Sequence, residues 1–322
     1  MIESWVDKKV LVTGGSGFIG HAVIKQLKGR GAKDENMFIP RSKDYDLAKE
    51  ADVQKLFEDF KPDAVFHLAA KVGGVFANMT AKGDFFYGNV MMNTMIVEYS
   101  RRNNVEKMML MGSGCIYPKF AEMPVKETAL WDGFPEETNF PYAMAKRLLL
   151  IQSMAYREQY GFNSVYVLPG NLYGAHDNFH LRDSHVVPAL IRKFVEAVEN
   201  GNDEVVVWGD GSATRDFQYV DDAAGGIVDV MEKWDSSEPL NISEGKEVPI
   251  KKIVELIAEL TEFKGKIVWD TDKPNGQPRR ALDVSRAREV IDYKTGTPLR
   301  EGLKLSIDWF KNNINNFRDE SR

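Results

Sequence analysis

Lys9-Val10-Leu11-Val12 runs without a break into Thr13-Gly14-Gly15-Ser16-Gly17-Phe18-Ile19-Gly20, and this joint constrains the fold more than any other stretch of the chain. The short apolar run reads as a buried strand, whereas His21-Ala22-Val23-Ile24-Lys25-Gln26-Leu27 repeats its apolar residues at helical spacing. Between them the glycines fit both G-x-G-x-x-G (15, 17, 20) and T-G-x-x-G-x-x-G (14, 17, 20). A helix opening straight after such a turn aims its free backbone amides outward, and side chains at the turn would keep a pyrophosphate from reaching them. The stretch predicts a dinucleotide site formed by Gly14, Gly17, Phe18, Ile19 and Gly20.

The next elements extend that unit. Asn36-Met37-Phe38-Ile39-Pro40 is the predicted second strand. An NAD-binding unit places Asp or Glu about 20 residues past the glycines, whereas Arg there accommodates the 2′-phosphate of NADP. Pro40, Arg41, Ser42 and Lys43 stand in that region, so the expected cofactor is NADP(H), with Arg41 on the phosphate. Residues 51–60 read as an amphipathic helix and Ala64 to Leu68 as a third strand, ending in the small residues Ala69 and Ala70, then Lys71-Val72-Gly73-Gly74. Ala69 at that tip suits close packing against a cofactor. A helix over about 84–103 and an apolar run at Met108 to Met111 continue the strand and helix alternation of a parallel, doubly wound sheet.

Met111 leads into Gly112-Ser113-Gly114-Cys115-Ile116-Tyr117-Pro118, which holds the one cysteine of the chain. If the backbone stays extended, Ser113 and Cys115 project to one side, and the flanking glycines admit a ligand close to the backbone. Further on, Tyr142 and Lys146 are four apart at the start of a predicted helix and share one face. A lysine cation beside a phenol is expected to lower its pKa and suit it to proton transfer.

Composition removes several classes of function. A net charge of -6 and a pI near 5.6 argue against general affinity for nucleic acid or anionic membrane. A single cysteine cannot form an internal disulfide, no Cys/His cluster has metal-ligand spacing, and a reducing cytoplasm is the expected setting. There is no basic segment followed by an apolar one at the start, and no apolar run approaches the ~18 residues of a spanning helix.

The glycine turn, the strand-tip serine and the Tyr142/Lys146 pair together resemble the extended short-chain dehydrogenase/reductases that act on nucleotide sugars. The resemblance implies a Rossmann-type doubly wound parallel sheet with a smaller, discontinuous α/β C-terminal substrate domain. It places residues 1–174 and 213–245 in the NADP-binding domain and 175–212 and 246–322 in the nucleotide-sugar domain. It also implies a triad of Ser113, Tyr142 and Lys146, with Lys146 orienting the nicotinamide ribose as well. The segments Gly112 to Pro118, Ala69 to Gly74, Pro169-Gly170-Asn171-Leu172-Tyr173-Gly174 with the stretch to Leu190, and Val205 to Gly211 narrow the match. They look like the 3,5-epimerase/4-reductases that turn GDP-4-keto-6-deoxy-D-mannose into GDP-L-fucose.

By that resemblance Asn171, Leu172 and His185 lie beside the nicotinamide, and Cys115 and His185 exchange the protons of C3 and C5. Lys193, Trp208, Arg215 and Arg280 hold the GDP moiety, and a homodimer forms through the helices near 84–103 and 140–160. The chain departs from the family at Gly114, where a second serine is usual, and at Lys193, where many relatives have arginine. Four alternatives stay open: a GDP-L-colitose synthase type of enzyme, a C4 reductase without epimerisation, an NAD+-retaining 4-epimerase, or a non-catalytic dinucleotide-binding protein. His67 reads as a core residue, His21 as a helix-surface one, and His176 and His180 as pocket-lining or structural.

Overall fold

The computed structural model describes residues 1–73, 81–181, 184–273 and 276–317. The first strand, β1 (Val10–Thr13), is buried at every position and is followed after the glycine turn by α1 (Phe18–Gly29). Then come β2 (Met37–Phe38), α2 (Glu50–Phe60), β3 (Ala64–His67), α3 (Lys82–Arg102), β4 (Lys107–Met111), α4 (Phe140–Tyr160) and β5 (Ser164–Pro169). The predicted second strand reaches only Phe38, since Pro40 has no N–H with which to continue a ladder.

The chain then leaves this sheet. β6 (Asn171–Tyr173), α5 (Val186–Asn200), β7 (Glu204–Trp208) and β8 (Thr214–Tyr219) precede α6 (Val220–Lys233) and β9 (Leu240–Ile242). The last elements are β10 (Glu247–Pro249), α7 (Ile250–Leu260), β11 (Lys266–Asp270), β12 (Arg279–Arg280), α8 (Ser285–Ile291) and α9 (Leu299–Asn313).

Among the described residues, six strands pair in parallel in the order β2-β1-β3-β4-β5-β9. Both faces of this sheet are covered, so β4 is apolar on both sides: Met109 and Met111 join the core under α1 and α6, and Met108 and Leu110 the core under α2, α3 and α4. The chain reverses direction across the sheet between β1 and β3, which opens a crevice beyond their carboxyl ends where such folds bind ligands. A third apolar cluster lies around α5, α7 and α9. Beside it β8 pairs with β6, β10 and β12, and β7 pairs with β11. No described helix is long and apolar enough to cross a membrane, and no three described His, Cys, Asp or Glu side chains gather as a metal site.

Asn241 of β9, fully buried, ties three distant segments together. Its Oδ1 accepts from the Tyr117 hydroxyl at 2.6 Å, and its Nδ2 donates to the carbonyls of Val125 (3.0 Å) and Asp283 (2.9 Å). Replacing it by alanine takes these partners from the Tyr117 hydroxyl and the Asp283 carbonyl, while the Val125 carbonyl still accepts from the Asp283 amide at 2.9 Å. Each of these two losses costs about 1–3 kcal/mol, so Asn241→Ala is expected to lower stability by roughly 2–6 kcal/mol in urea unfolding; a loss under ~1 kcal/mol would mean water replaces the amide.

Candidate active site

The first half of the site is the turn between β1 and α1. Gly14 has φ +72°, and a Cβ there would stand 2.8 Å from the Ala69 amide nitrogen; a Cβ on Gly20 would stand 2.3 Å from the Gly14 carbonyl oxygen. The turn is therefore closed to any larger residue at both places. Gly17 caps α1 in an extended conformation with no side-chain hydrogen bond, and no acid occupies the first turn, so the amide end of the helix dipole is left for an outside anion. Phe18 and Ile19 are half-buried in that turn. Arg41 is exposed just past β2, and its guanidinium has no partner among the described residues.

Beneath the turn, the Ala69 amide donates to Thr13 Oγ1 at 3.3 Å, and Thr13 Oγ1 lies 2.8 Å from His67 Nδ1. His67 Nε2 is 3.0 Å from Asn93 Oδ1, and burial pushes the imidazole pKa down to about 3. It is a neutral core residue that holds the floor of the crevice. Gly74, the last residue of the small stretch after β3, lies outside the described residues. A shaped glycine cradle, an uncapped helix terminus and a free cation 21 residues past Gly20 together fit a dinucleotide carrying a 2′-phosphate.

The second half begins where β4 ends. Gly112 keeps the ladder by donating to the Val167 carbonyl at 2.8 Å, and Ser113 is extended. The chain then leaves the extended form: Gly114–Ile116 is a single 3-10 turn, with Ser113 Oγ accepting from the Cys115 amide at 3.4 Å. The side-by-side placement expected from strand alternation is thus reached by a capped turn instead. Gly112 does not admit a ligand either, since a Cβ there would stand 2.4 Å from the Tyr166 ring.

α4 brings Tyr142 and Lys146 to the same place. The Ser113 hydroxyl interacts with both the Tyr142 phenol and the Cys115 thiol, and in each case this opposes the effect of burial. Burial nevertheless wins: the Tyr142 pKa lies well above its usual 10, and the thiol is raised above 9.0. This corrects the expectation of a lowered phenol. Lys146 Nζ donates to the Met111 carbonyl at 2.7 Å and lies 6.0 Å from the Tyr142 ring centroid, so its charge is spent on the backbone rather than on the hydroxyl. Its own pKa is pushed down to about 8 by burial.

Four of the five expected catalytic residues therefore meet in one place. His185 is joined to none of them by a hydrogen bond among the described residues. It caps α5 as an exposed residue, yet desolvation by the protein around the imidazole lowers its pKa below 6.5. Asn171 and Leu172 are half-buried in β6, with Asn171 Nδ2 donating to the Asp216 carbonyl at 3.2 Å.

The four expected GDP contacts fall into two pairs. Trp208, 63% exposed on β7, has the ammonium groups of Lys193 and Lys273 each 5.9 Å from its ring centroid. Arg215 and Arg280 are register partners on β8 and β12, and burial, followed by the nearby Arg280 charge, lowers the Arg215 pKa. Arg280 departs from the expectation of a free phosphate contact: Nη2 donates to the carbonyls of Gly114 (2.6 Å) and Tyr117 (3.4 Å), and Nη1 to that of Pro118 (3.3 Å). Sequence reasoning missed Lys273, in a loop with no distinguishing pattern. It also missed Arg147, whose Nε donates to the Ile116 carbonyl at 2.9 Å; being next to Lys146 was the only signal. His176 stacks on His21 with centroids 3.9 Å apart, which gives both a structural place.

Fold and site define a nucleotide-sugar enzyme of the short-chain dehydrogenase/reductase kind, and the profile of the NAD dependent epimerase/dehydratase family matches residues 10–243. The chain is 40% identical to GDP-L-fucose synthase 1 of Arabidopsis thaliana over 98% of its own length and 97% of that protein's. The crystal structure of a GDP-L-fucose synthetase from Naegleria fowleri bound to NADP superposes with a TM-score of 0.90 at 33% identity, covering 99% of this chain and 97% of the other. An NADP-bound GDP-mannoheptose C4 reductase from Campylobacter jejuni gives 0.86 at 29% identity, covering 95% and 99%. The chain belongs to the NAD dependent epimerase/dehydratase family and, within it, to the GDP-L-fucose synthases.

If Arg41 reads the 2′-phosphate, Arg41→Ala should raise the KM for NADPH by about 10- to 100-fold, the worth of one charge-assisted contact, and leave the KM for NADH unchanged. Steady-state kinetics with both cofactors checks this; an equal rise for both would place Arg41 elsewhere.

Proposed function

We propose that the chain converts GDP-4-keto-6-deoxy-D-mannose to GDP-L-fucose, inverting C3 and C5 and then reducing C4 with NADPH. The observation that carries this reading is the gathering of Ser113, Cys115, Tyr142 and Lys146 at the end of β4, beside a glycine cradle fit for a dinucleotide. Gly14, Gly17, Phe18, Ile19, Gly20, Arg41 and Ala69 hold the cofactor's phosphates and ribose, with Lys146, Asn171, Leu172 and His185 on its nicotinamide side. When bound, NADPH supplies the hydride that reduces C4.

The protein's own groups move the protons. Hydrogens on C3 and C5 are acidic because the carbanion left behind spreads onto the C4 oxygen, where the Ser113 and Tyr142 hydroxyls donate hydrogen bonds. Cys115 and His185 form the pair that removes a proton from one face and returns one to the other. With the thiol raised and the imidazole lowered, the pair rests at pH 7 as thiol and neutral imidazole. Shifting the thiol proton to His185 gives thiolate and imidazolium with the same proton count, so either form peaks over the same pH range. In the reduction, Tyr142 gives its proton to the C4 alkoxide. The cations of Lys193 and Arg215, the charge of Arg280 and the face of Trp208 serve the diphosphate and guanine.

A C4 reductase without epimerisation is the second reading, favoured by the lack of a hydrogen bond between His185 and the Cys115 cluster. Deuterium incorporation at C3 and C5 in D2O separates the two. We expect Cys115→Ser to lose about 100-fold or more of that exchange while still oxidising NADPH with the same substrate. Wild-type exchange should hold a plateau between an acid limb below pH 6.5, where His185 gains a proton, and an alkaline limb above 9.0, where the thiol loses one. Undiminished exchange in Cys115→Ser would sink the role given to the thiol.

Residues 1–174 and 213–245 serve the cofactor in this reading, and 175–212 and 246–322 the sugar nucleotide; the separate apolar core around α5, α7 and α9 supports this division, except that Val284, Ala287, Ile291 and Tyr293 pack in the core with α1 and α6. The protein acts as a homodimer. In support, Leu148, Ile151 and Met154 leave an exposed apolar stripe on α4, with Phe86 and Tyr87 exposed on α3. Light scattering should give twice the 36.5 kDa chain mass, and Ile151→Glu should return the single-chain value. A cytoplasmic setting suits a chemistry that needs its only thiol reduced.

A further inference from the structure

The turn that carries Cys115 is weakly held by its own backbone. Ile116 donates to the Ser113 carbonyl at 3.2 Å and Tyr117 to that of Gly114 at 3.4 Å, both at the long end for such bonds. Gly114 adds no side chain to fix the turn and is itself the most permissive residue for the backbone. The short bond comes from outside. Arg280, 166 residues further along the chain, donates from Nη2 to the Gly114 carbonyl at 2.6 Å, and this is the peptide whose nitrogen belongs to Cys115. The same guanidinium also reaches the carbonyls of Tyr117 and Pro118, so it spans the turn from its first residue to two residues beyond its end.

We propose that Arg280 is a positioning residue for Cys115: it clamps the peptide between Gly114 and Cys115 and so aims the thiol at the sugar. The inference rests on the reading that Cys115 exchanges protons with C3 and C5. It goes beyond a phosphate contact, because both terminal nitrogens of Arg280 are engaged by the turn.

The charge of Arg280 has a second consequence. The groups facing the thiol are Ser113 on its own segment, Tyr142 and Lys146 from α4, Tyr166 from β5 and Arg280 from β12. Burial drives the thiol pKa up, and Ser113, Arg280 and Lys146 pull it back down. Geometry and charge can be separated by substitution. Arg280→Lys keeps the charge and loses the forked grip, whereas Arg280→Gln keeps hydrogen-bond donors and loses the charge.

Because the chain has one cysteine, the pH dependence of alkylation by iodoacetamide reports this thiol alone, and it does so without substrate. Exchange of C3 and C5 hydrogens of GDP-4-keto-6-deoxy-mannose in D2O without NADPH reports the thiol's aim. In Arg280→Lys we expect an unchanged alkylation midpoint with exchange at saturating substrate reduced about tenfold or more. In Arg280→Gln we expect the same loss and a midpoint raised by about one pH unit. Should Arg280→Gln fail to fold, Arg280→Lys carries the test. Wild-type exchange at saturating substrate in these variants, with only the KM for the GDP-sugar raised, would overturn the proposal and leave Arg280 as a phosphate ligand. Failure of the underlying reading looks different: Cys115→Ser would then keep its exchange, while the alkylation midpoint of Arg280→Gln would still move.

Discussion

Where β4 ends at Met111 the backbone leaves its ladder, and the carbonyl oxygens from Met111 to Pro118 must find other partners; much of the site follows from how they do so. Lys146 takes the Met111 carbonyl, Arg147 that of Ile116, and Arg280 those of Gly114, Tyr117 and Pro118. Hydrogen bonds from charged donors contribute about 1.5–3 kcal/mol each, enough to fix a segment that lacks regular structure. Because neutral carbonyls absorb these donors, none of the three cations is in an ion pair among the described residues. Arg215 is in the same situation, bonded to the carbonyls of Thr214 and Gln277. An acidic protein thereby keeps a local positive field where an enolate, an alkoxide and a diphosphate all have to be accommodated.

The parts of the fold legible in the sequence are those set by local chemistry. The strand, glycine turn and helix of residues 10–29 depend on residues that are neighbours in the chain, and the same holds for the apolar alternation within β4, which serves two cores at once. The meeting of Ser113, Tyr142 and Lys146 was legible because spacing on a helix and proximity to a strand end are also local properties. What could not be read was any contact between distant segments. Arg280 looks like one more loop cation until β12 carries it to the Cys115 turn, and Lys273 is indistinguishable in sequence from the solvated lysines around it. The alternation argument for Ser113 and Cys115 failed for a local reason: a serine followed by glycine can cap a turn, and period 2 applies only while the strand lasts.

The expected lowering of the Tyr142 pKa failed because it assumed that an i, i+4 lysine spends its charge on the phenol. Here the ammonium is drawn to a carbonyl at the end of β4, and desolvation dominates the tyrosine. The difference matters for how two reactions share one pocket. A phenol that holds its proton firmly can donate a hydrogen bond to the enolate oxygen during both inversions without handing the proton over. In the proposed mechanism, protonation at carbon is then left to Cys115 and His185. Only when hydride reaches C4 does the oxygen become an alkoxide basic enough to take the phenolic proton outright. A tyrosine already poised as phenolate would repel the enolate and have no proton left for the final step. The order itself is set by the C4 carbonyl: the C3 and C5 hydrogens are acidic only while C4 is a ketone, so both inversions precede reduction, and a phenol that still holds its proton is compatible with both steps.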